Sequence, residues 1–203
     1  DQFPVARFAA SKHARMWVAN VTVDGDDYPS RVLYSDVLKP EKWYGLNYLD
    51  FNPADGQEIT AFVEYGESFL VFKNNNVSIL TGKSEDSFSI TMLDEEVGTV
   101  SPKSTAVVGA QMLFFDRDHG VWMFDGAQFT DVSDKIRNYL LDGVNYDYAW
   151  TAAGFIRRNV YYLSVPWGTS KTPNRTFVYD MKGGLWFEWT FGFNQAAQMD
   201  GDW

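Results

Sequence analysis

The sequence contains no cysteine, so disulfide bridges and thiolate zinc sites are excluded and the redox compartment is left open. Histidine is nearly as scarce: His13 and His119 each sit beside a turn, without a second histidine at ligand spacing. That argues against a zinc site and against a Ser-His-Asp relay. Basic residues are few, 17 Lys and Arg against 27 Asp and Glu, for a net charge of −10. Affinity for nucleic-acid phosphates through counterion release needs the opposite balance. Such a chain can still let DNA pass without holding it, although acidity that merely keeps a protein in solution is the plainer reading. No apolar run approaches the roughly 20 residues of a membrane span, and no secretory leader is visible. A glycine-rich phosphate loop is missing as well; Lys182-Gly183-Gly184 is a turn. The chain opens at Asp1 and closes on Asp-Gly-Asp-Trp, which reads as an excerpt of a longer polypeptide or a processed one.

Apolar and aromatic side chains are plentiful, 45% and 17% of 203 residues, enough to bury a core in one domain. Their pattern is clearest over residues 95–141. Short apolar runs at 112–115 and 121–124 flank the polar segment Asp116-Arg117-Asp118-His119-Gly120, a hairpin signal. A third strand is expected over 128–132, after Asp125-Gly126. Ser133 is then placed to cap a short helix with Ile136, Tyr139 and Leu140 on one face. This unit recurs. With Gly66 laid on Gly109, 43 residues on, residues 69–72 fall on 112–115. Residues 8–20 lie over 61–73 at an offset of 53, with a second strand expected at 30–35 after a polar loop over 24–29. Val160-Tyr161-Tyr162-Leu163 lies over 112–115 at an offset of 48, and strands at 176–180 and 185–190 come after it. Spacings of 43 to 53 residues match the blade of a β-propeller. The expected fold is therefore all-β, a β-propeller of about four visible blades near residues 8–52, 59–94, 99–141 and 148–191, itself part of a larger propeller. Runs such as 69–72, apolar at every position, suit inner strands covered on both faces. An ordinary β-sandwich is the alternative.

Candidate chemistry is sparse. Asp116 and Asp118, with Glu95 and Glu96, could be the paired carboxylates of a glycosidase. Aspartate in a solvated turn usually serves the backbone instead. Asp24-Gly25-Asp26-Asp27 looks like part of a calcium loop, but the twelfth position is Ser35 where a glutamate is needed, so an acidic loop is the simpler reading. Trp43, Tyr44 and Tyr48, and Trp186, Phe187 and Trp189 on a predicted strand, either stack on sugars or pack between blades. Lys103, Arg117, Lys135, Arg137, Arg157 and Arg158 are scattered and form no stripe.

A family resemblance enters on particular strings. Arg31-Val32-Leu33-Tyr34-Ser35, Pro40-Glu41-Lys42-Trp43 and Leu46-Asn47-Tyr48-Leu49-Asp50 resemble the opening of a propeller found in tail proteins of tailed bacteriophages. Ile59-Thr60-Ala61-Phe62, Gly66-Glu67-Ser68-Phe69, Val77-Ser78-Ile79-Leu80-Thr81-Gly82, Gly98-Thr99-Val100-Ser101-Pro102 and Gly120-Val121-Trp122-Met123-Phe124-Asp125-Gly126 resemble the next blades of that propeller. The likeness covers about residues 31–190 and lacks WD and kelch signatures. It implies a non-enzymatic structural component of the virion tail, in a nozzle, hub or head–tail connector ring. The partners implied are further copies of the chain and other tail or connector proteins, with double-stranded DNA passing through the lumen. No catalytic residue, cofactor or metal is implied. The helix after Ser133 becomes the candidate subunit contact, through Ser133, Lys135, Ile136 and Arg137, so that removing residues 133–141 is expected to weaken assembly more than folding. The alternative function is a carbohydrate-binding propeller module or glycosidase acting on cell-surface glycan.

Overall fold

Tight reversals open every repeat. His13-Ala14 and Arg158-Asn159 are left-handed at both positions, with φ of 55° and 57° and of 52° and 60°, the type I′ pattern. Gly66 and Gly109 supply a positive φ at the first position only, 54° and 58°, as type II′ requires. Both turn types match the right-handed twist of strands, so each closes a two-residue hairpin in fixed register. The computed structural model describes residues 4–195. Among them, blade 1 is β1 (Val5–Lys12), β2 (Arg15–Val23), β3 (Asp26–Tyr34) and β4 (Tyr48–Asp50). Blade 2 is β5 (Ala61–Tyr65), β6 (Ser68–Phe72), β7 (Val77–Thr81) and β8 (Ser89–Asp94). Blade 3 is β9 (Ala106–Val108), β10 (Gln111–Asp116), β11 (Gly120–Phe124) and β12 (Phe129–Asp131). Blade 4 is β13 (Ala153–Arg157), β14 (Val160–Val165), β15 (Arg175–Asp180) and β16 (Leu185–Trp189). Each is a four-stranded antiparallel meander with strands adjacent in chain order. The chain is all-β and built of propeller blades. It divides into two compact units, Asp1–Thr99 and Val100–Trp203, with two blades in each.

The turns fix which residues are equivalent. Lys12 pairs with Arg15, Tyr65 with Ser68, Val108 with Gln111 and Arg157 with Val160 across the four reversals. The offsets of 53 and 43 therefore hold. The third is 49, not 48, because Val160 answers to Gln111. In a strand a one-residue slip moves every side chain to the opposite face. Tyr161 thus matches Met112, and Tyr162 matches Leu113.

In the first unit, one face of blade 1 packs on one face of blade 2. Trp17, Ala19, Val32 and Tyr34 meet Phe62, Phe69, Val71 and Leu80 in a buried cluster. Trp17 lies 5.2 Å from the rings of Phe69, Tyr34 and Phe88. At the blade edge, Lys12 donates to Gly66 O and His13 contacts Glu67 O through its ring nitrogen. Deeper in, the buried Lys73 ammonium spends its donors on Ser30 Oγ (3.0 Å), Asn52 O (3.0 Å) and Asp55 Oδ1 (2.8 Å). Burial alone would raise Asp55. Hydrogen bonds from Lys73, Gln57 N–H and Asn76, with the lysine charge, outweigh it and hold the carboxyl below its ordinary value. The opposite face of blade 1 carries Val18, Val21 and Leu33.

The second unit repeats the scheme. Leu113, Phe115 and Val121 of blade 3 pack on Tyr161, Leu163, Val165, Phe177 and Tyr179 of blade 4. Trp186 belongs to this core and donates its indole N–H to Val132 O at 2.8 Å. The buried Tyr161 hydroxyl donates to Ser104 O at 2.7 Å, and burial pushes its pKa up. Helix α1 (Arg137–Gly143) sends Leu140 into the same core.

Several sequence expectations need correction. Ser133 does not cap α1; Ile136 is the capping position, without a side-chain bond. Ser133 is buried instead, its hydroxyl accepting from Val121 N–H and donating to Asp131. Deleting 133–141 would take Leu140 and this tie out of the core, so folding suffers first. The polar loop expected over 24–29 shrinks to the two-residue turn Asp24-Gly25, because both residues take a positive φ and the strand resumes at Asp26. Asp26 and Asp27, adjacent on a strand, face opposite ways and do not converge on an ion. Asp116 does not lie in solvent: it is 2% exposed and accepts the N–H groups of Asp118 and His119 at 2.8 and 2.7 Å.

The strained turn and the buried ion pair can each be tested by stability. Ala14 is exposed at φ 57°, a conformation that costs an L-residue roughly 1–2 kcal/mol. Ala14→Gly should therefore stabilise the protein by about 0.5–1 kcal/mol in urea denaturation, after the greater chain entropy of glycine is subtracted. Lys73→Met strands Asp55 and should cost about 3 kcal/mol, the low end for a broken buried pair because Asp55 keeps some solvent contact. Asp55 has a depressed folded pKa, so its contribution is complete above the ordinary carboxyl pKa and is lost as pH falls through the depressed value. The acid limb of the wild-type stability profile should accordingly be steeper than that of Lys73→Met.

Candidate functional site

A concave surface built by one unit lies on the face of blade 1 turned away from blade 2. Strand alternation puts Arg31 and Leu33 of β3 there, opposite Asp50 and Tyr48 of β4. The loop over 35–47 closes one side and brings Trp43 and Tyr44. It is pinned at both ends, by Asp36 N–H to Lys42 O and by Tyr34 N–H to Asn47 O. The Asp36 carboxylate also accepts from Val37 N–H and from Lys39. The resulting groove encloses about 970 Å³ and is lined by Val5, Val23, Tyr28, Arg31, Trp43 and Tyr44, among others.

Arg31 is the organising side chain. Its Nε and Nη2 donate to the two oxygens of Asp50 at 2.7 and 2.8 Å, a bidentate fork. Its guanidinium lies 4.2 Å from the Tyr28 ring centre and 3.8 Å from that of Tyr48. The bond to Asp50 raises the arginine pKa further; burial opposes it and loses. The site is thus a permanently charged plane between two aromatic rings, with a tryptophan and an exposed tyrosine beside it. It can stack and hydrogen-bond a flat or polyhydroxylated ligand. Among the described residues, it has no nucleophile paired to a base.

A second surface lies on blade 4. The cross-strand row Phe155, Tyr162, Val178 and Phe187 faces away from the blade 3 contact. Phe155 and Tyr162 stack at 4.7 Å, and Trp189 stacks on Phe191. Leu185, Phe187, Trp189 and Phe191 remain 53%, 55%, 41% and 57% exposed. Scattered apolar residues on a surface are ordinary; here the exposed rings are contiguous on one sheet face.

The residues singled out from sequence are dispersed. Of the proposed subunit contacts, only Lys135 stands open. Ser133 is buried; Ile136 packs against the blade 3 and blade 4 core; Arg137 pairs with Asp131 and faces Asp134 at 3.7 Å. Asp116 and His119 hold their own turn, with Nδ1 of the histidine 3.1 Å from the carboxylate. The Tyr146 phenol nearby is pushed up to about 12 by burial and by the Asp118 charge, so it stays protonated at neutral pH. Glu96 N–H and Val97 N–H bond Asp94, which makes Glu95-Glu96 part of a turn. Of the strand aromatics, Trp186 is core, whereas Phe187 and Trp189 point to solvent. Arg31 carried no functional expectation. Its signal was present in the alternation Arg31, Leu33 against Tyr48, Asp50, once β3 and β4 are known to pair.

Arg31→Lys keeps the charge but loses the fork and the stacking. It should lower stability by about 1 kcal/mol in denaturant titration, whereas Lys135→Ala, at an exposed position, should stay within about 0.5 kcal/mol of wild type.

No family model matches the sequence, and no curated protein does. Solved structures do match the fold at low identity. PorZ, a surface component of the type-IX secretion system of Porphyromonas gingivalis, aligns with 88% of this chain at 13% identity and a TM-score of 0.45. Apo AztD from Citrobacter koseri aligns with 93% of it, also at 13% identity, with a TM-score of 0.44. The chain spans 20% of the first and 63% of the second.

Proposed function

We propose that this chain is a structural component of a phage virion tail, of the nozzle, hub or head–tail connector kind. In this reading, copies of the chain form part of a ring with other tail or connector proteins and act without catalysis. The observation that carries the reading is how the fold employs its reactive side chains. Asp116 and His119 hold a turn, Lys73 and Asp55 join two blades, and Arg31 and Asp50 lock a sheet edge, while the side chains left for a partner are aromatic. The resemblance of residues 31–190 to phage tail propellers supplies the setting. The net charge of −10 suits a wall along which DNA slides during ejection, since like charge prevents adhesion. Acidic loops lining the lumen of the assembled ring are the corollary, and a lumen lined by Lys and Arg would refute it.

The aromatic groove on blade 1 favours a second reading, a carbohydrate-binding module for cell-surface glycan. One set of measurements separates the two. A tail component should be found in purified virions at a fixed number of copies, with no hydrolysis of glycan by the isolated chain. A glycan module should bind on a glycan array, lose at least about tenfold in affinity with Trp43→Ala, and be indifferent to Asp116→Asn in the folded fraction.

A further inference from the structure

We infer that the groove on blade 1 binds an uncharged sugar residue and turns away sugars that carry a carboxylate or a sulfate. The inference rests on the glycan reading of this groove and names the class of its ligand.

An irregularity in the sheet builds the site. Ala19 pairs with Val32 and Val21 pairs with Tyr28, so residues 29–31 of β3 stand opposite Asn20 alone. Asn20 takes the left-handed backbone there, with φ of 55°. In a regular strand, residues three apart face opposite ways. The bulge changes that parity and brings Tyr28 onto the face of Arg31. Two rings then lie against the guanidinium, Tyr28 at 4.2 Å and Tyr48 at 3.8 Å. Tyr48 and Trp43 also pack on the buried cluster of Val18, Val21 and Leu33, so they are a fixed floor. Tyr44, 55% exposed and lining the groove, is the ring left open for stacking.

The polar groups define the ligand. The fork to Asp50 uses Nε and Nη2 of Arg31, so the two N–H groups of Nη1 have no acceptor among the described residues. The Arg31 side chain stays 19% exposed and lines the groove, which makes these donors available to a ligand. Asp24, on the turn between β2 and β3, is exposed and lines the same groove. Its carboxylate only accepts. A hydroxyl both donates and accepts, so the hydroxyls of one sugar can answer Arg31 and Asp24 while the C–H face of its ring lies on Tyr44. A carboxylate or sulfate brings acceptors alone. It meets an arginine whose charge Asp50 already balances, and Asp24 is left over to repel it. An ammonium group has no acceptor for Nη1 and meets the arginine charge. The uncharged sugar suits both polar groups.

The test is a glycan array probed with the 203-residue chain, each neutral oligosaccharide being matched to a uronic-acid or sulfated counterpart. Calorimetric titration then measures the pair that binds most strongly. Wild type should bind the neutral member at least about tenfold more tightly than the acidic one. Tyr44→Ala, at an exposed position, should melt like wild type and lose at least about fivefold in affinity for the neutral member. Asp24→Asn should also fold normally, because Asn-Gly is a preferred pair for a turn with two positive φ angles. It removes the repelling charge and should narrow the preference for the neutral member to about twofold. An acidic member that wild type binds as tightly as its neutral counterpart, or an unchanged preference in Asp24→Asn, would overturn the inference and leave the glycan reading standing. A Tyr44→Ala that binds as wild type does would put the sugar outside this groove and overturn it as well. No binding of any member up to about 1 mM would remove the glycan reading itself, and the inference with it.

Discussion

The constraint on which the rest depends is the parity of each blade's first hairpin. A two-residue reversal leaves no freedom of register, so it settles which side chains of the next strand face the preceding blade and which face the following one. Where that parity holds, Trp17 meets Phe69 and Leu113 faces the row that contains Tyr161. Shifted by one residue, the same strands would turn Met16 and Tyr162 toward those contacts in their place. The left-handed His13-Ala14 and Arg158-Asn159 pairs are strained relative to glycine, and the blades accept that strain because the register it secures buries a full sheet face.

Polar groups inside the structure obey the same stacking. Sheets packed face to face leave the connecting segments partly enclosed, and their backbone groups must still be satisfied. Ser104 accepts from Tyr161 and donates to Ser101, Ser133 serves Val121, and Lys73 of blade 2 collects oxygens from blade 1 and from the segment between the two blades. Residues that look reactive by side-chain chemistry alone are thereby explained as fasteners. Among the side chains left outward are the rings of Tyr44 in blade 1 and of Phe187, Trp189 and Phe191 at blade 4, while Arg31 is locked in place.

Much of this was legible in the sequence. The apolar runs at 69–72 and 112–115 carry inner strands because only a strand covered on both sides needs apolar residues at every position. The repeat offsets at Gly66 and Gly109 were readable since glycine marks the turn. The fourth blade slipped by one because its turn is Arg158-Asn159, where no glycine shows the reversal. Ser133 sits where a helix cap belongs by spacing, yet a tertiary bond to Val121 claimed its hydroxyl first. The groove could be read only in part: Trp43, Tyr44 and Tyr48 were candidates from the sequence, whereas the fork of Arg31 and Asp50, 19 residues apart, exists only after β3 and β4 pair.

The Lys73 tie has a consequence in time. A chain emerges from the ribosome N-terminus first, so Ser30, Asn52 and Asp55 appear before the ammonium that joins them. Until Lys73 arrives, the segment between β4 and β5 has no interior cation to fold around, and Trp17 has no Phe69 to lie against. The pairing of blades 1 and 2 therefore waits for the second of them, and a ribosome that stalls shortly before Lys73 would leave the Trp17 face of blade 1 uncovered.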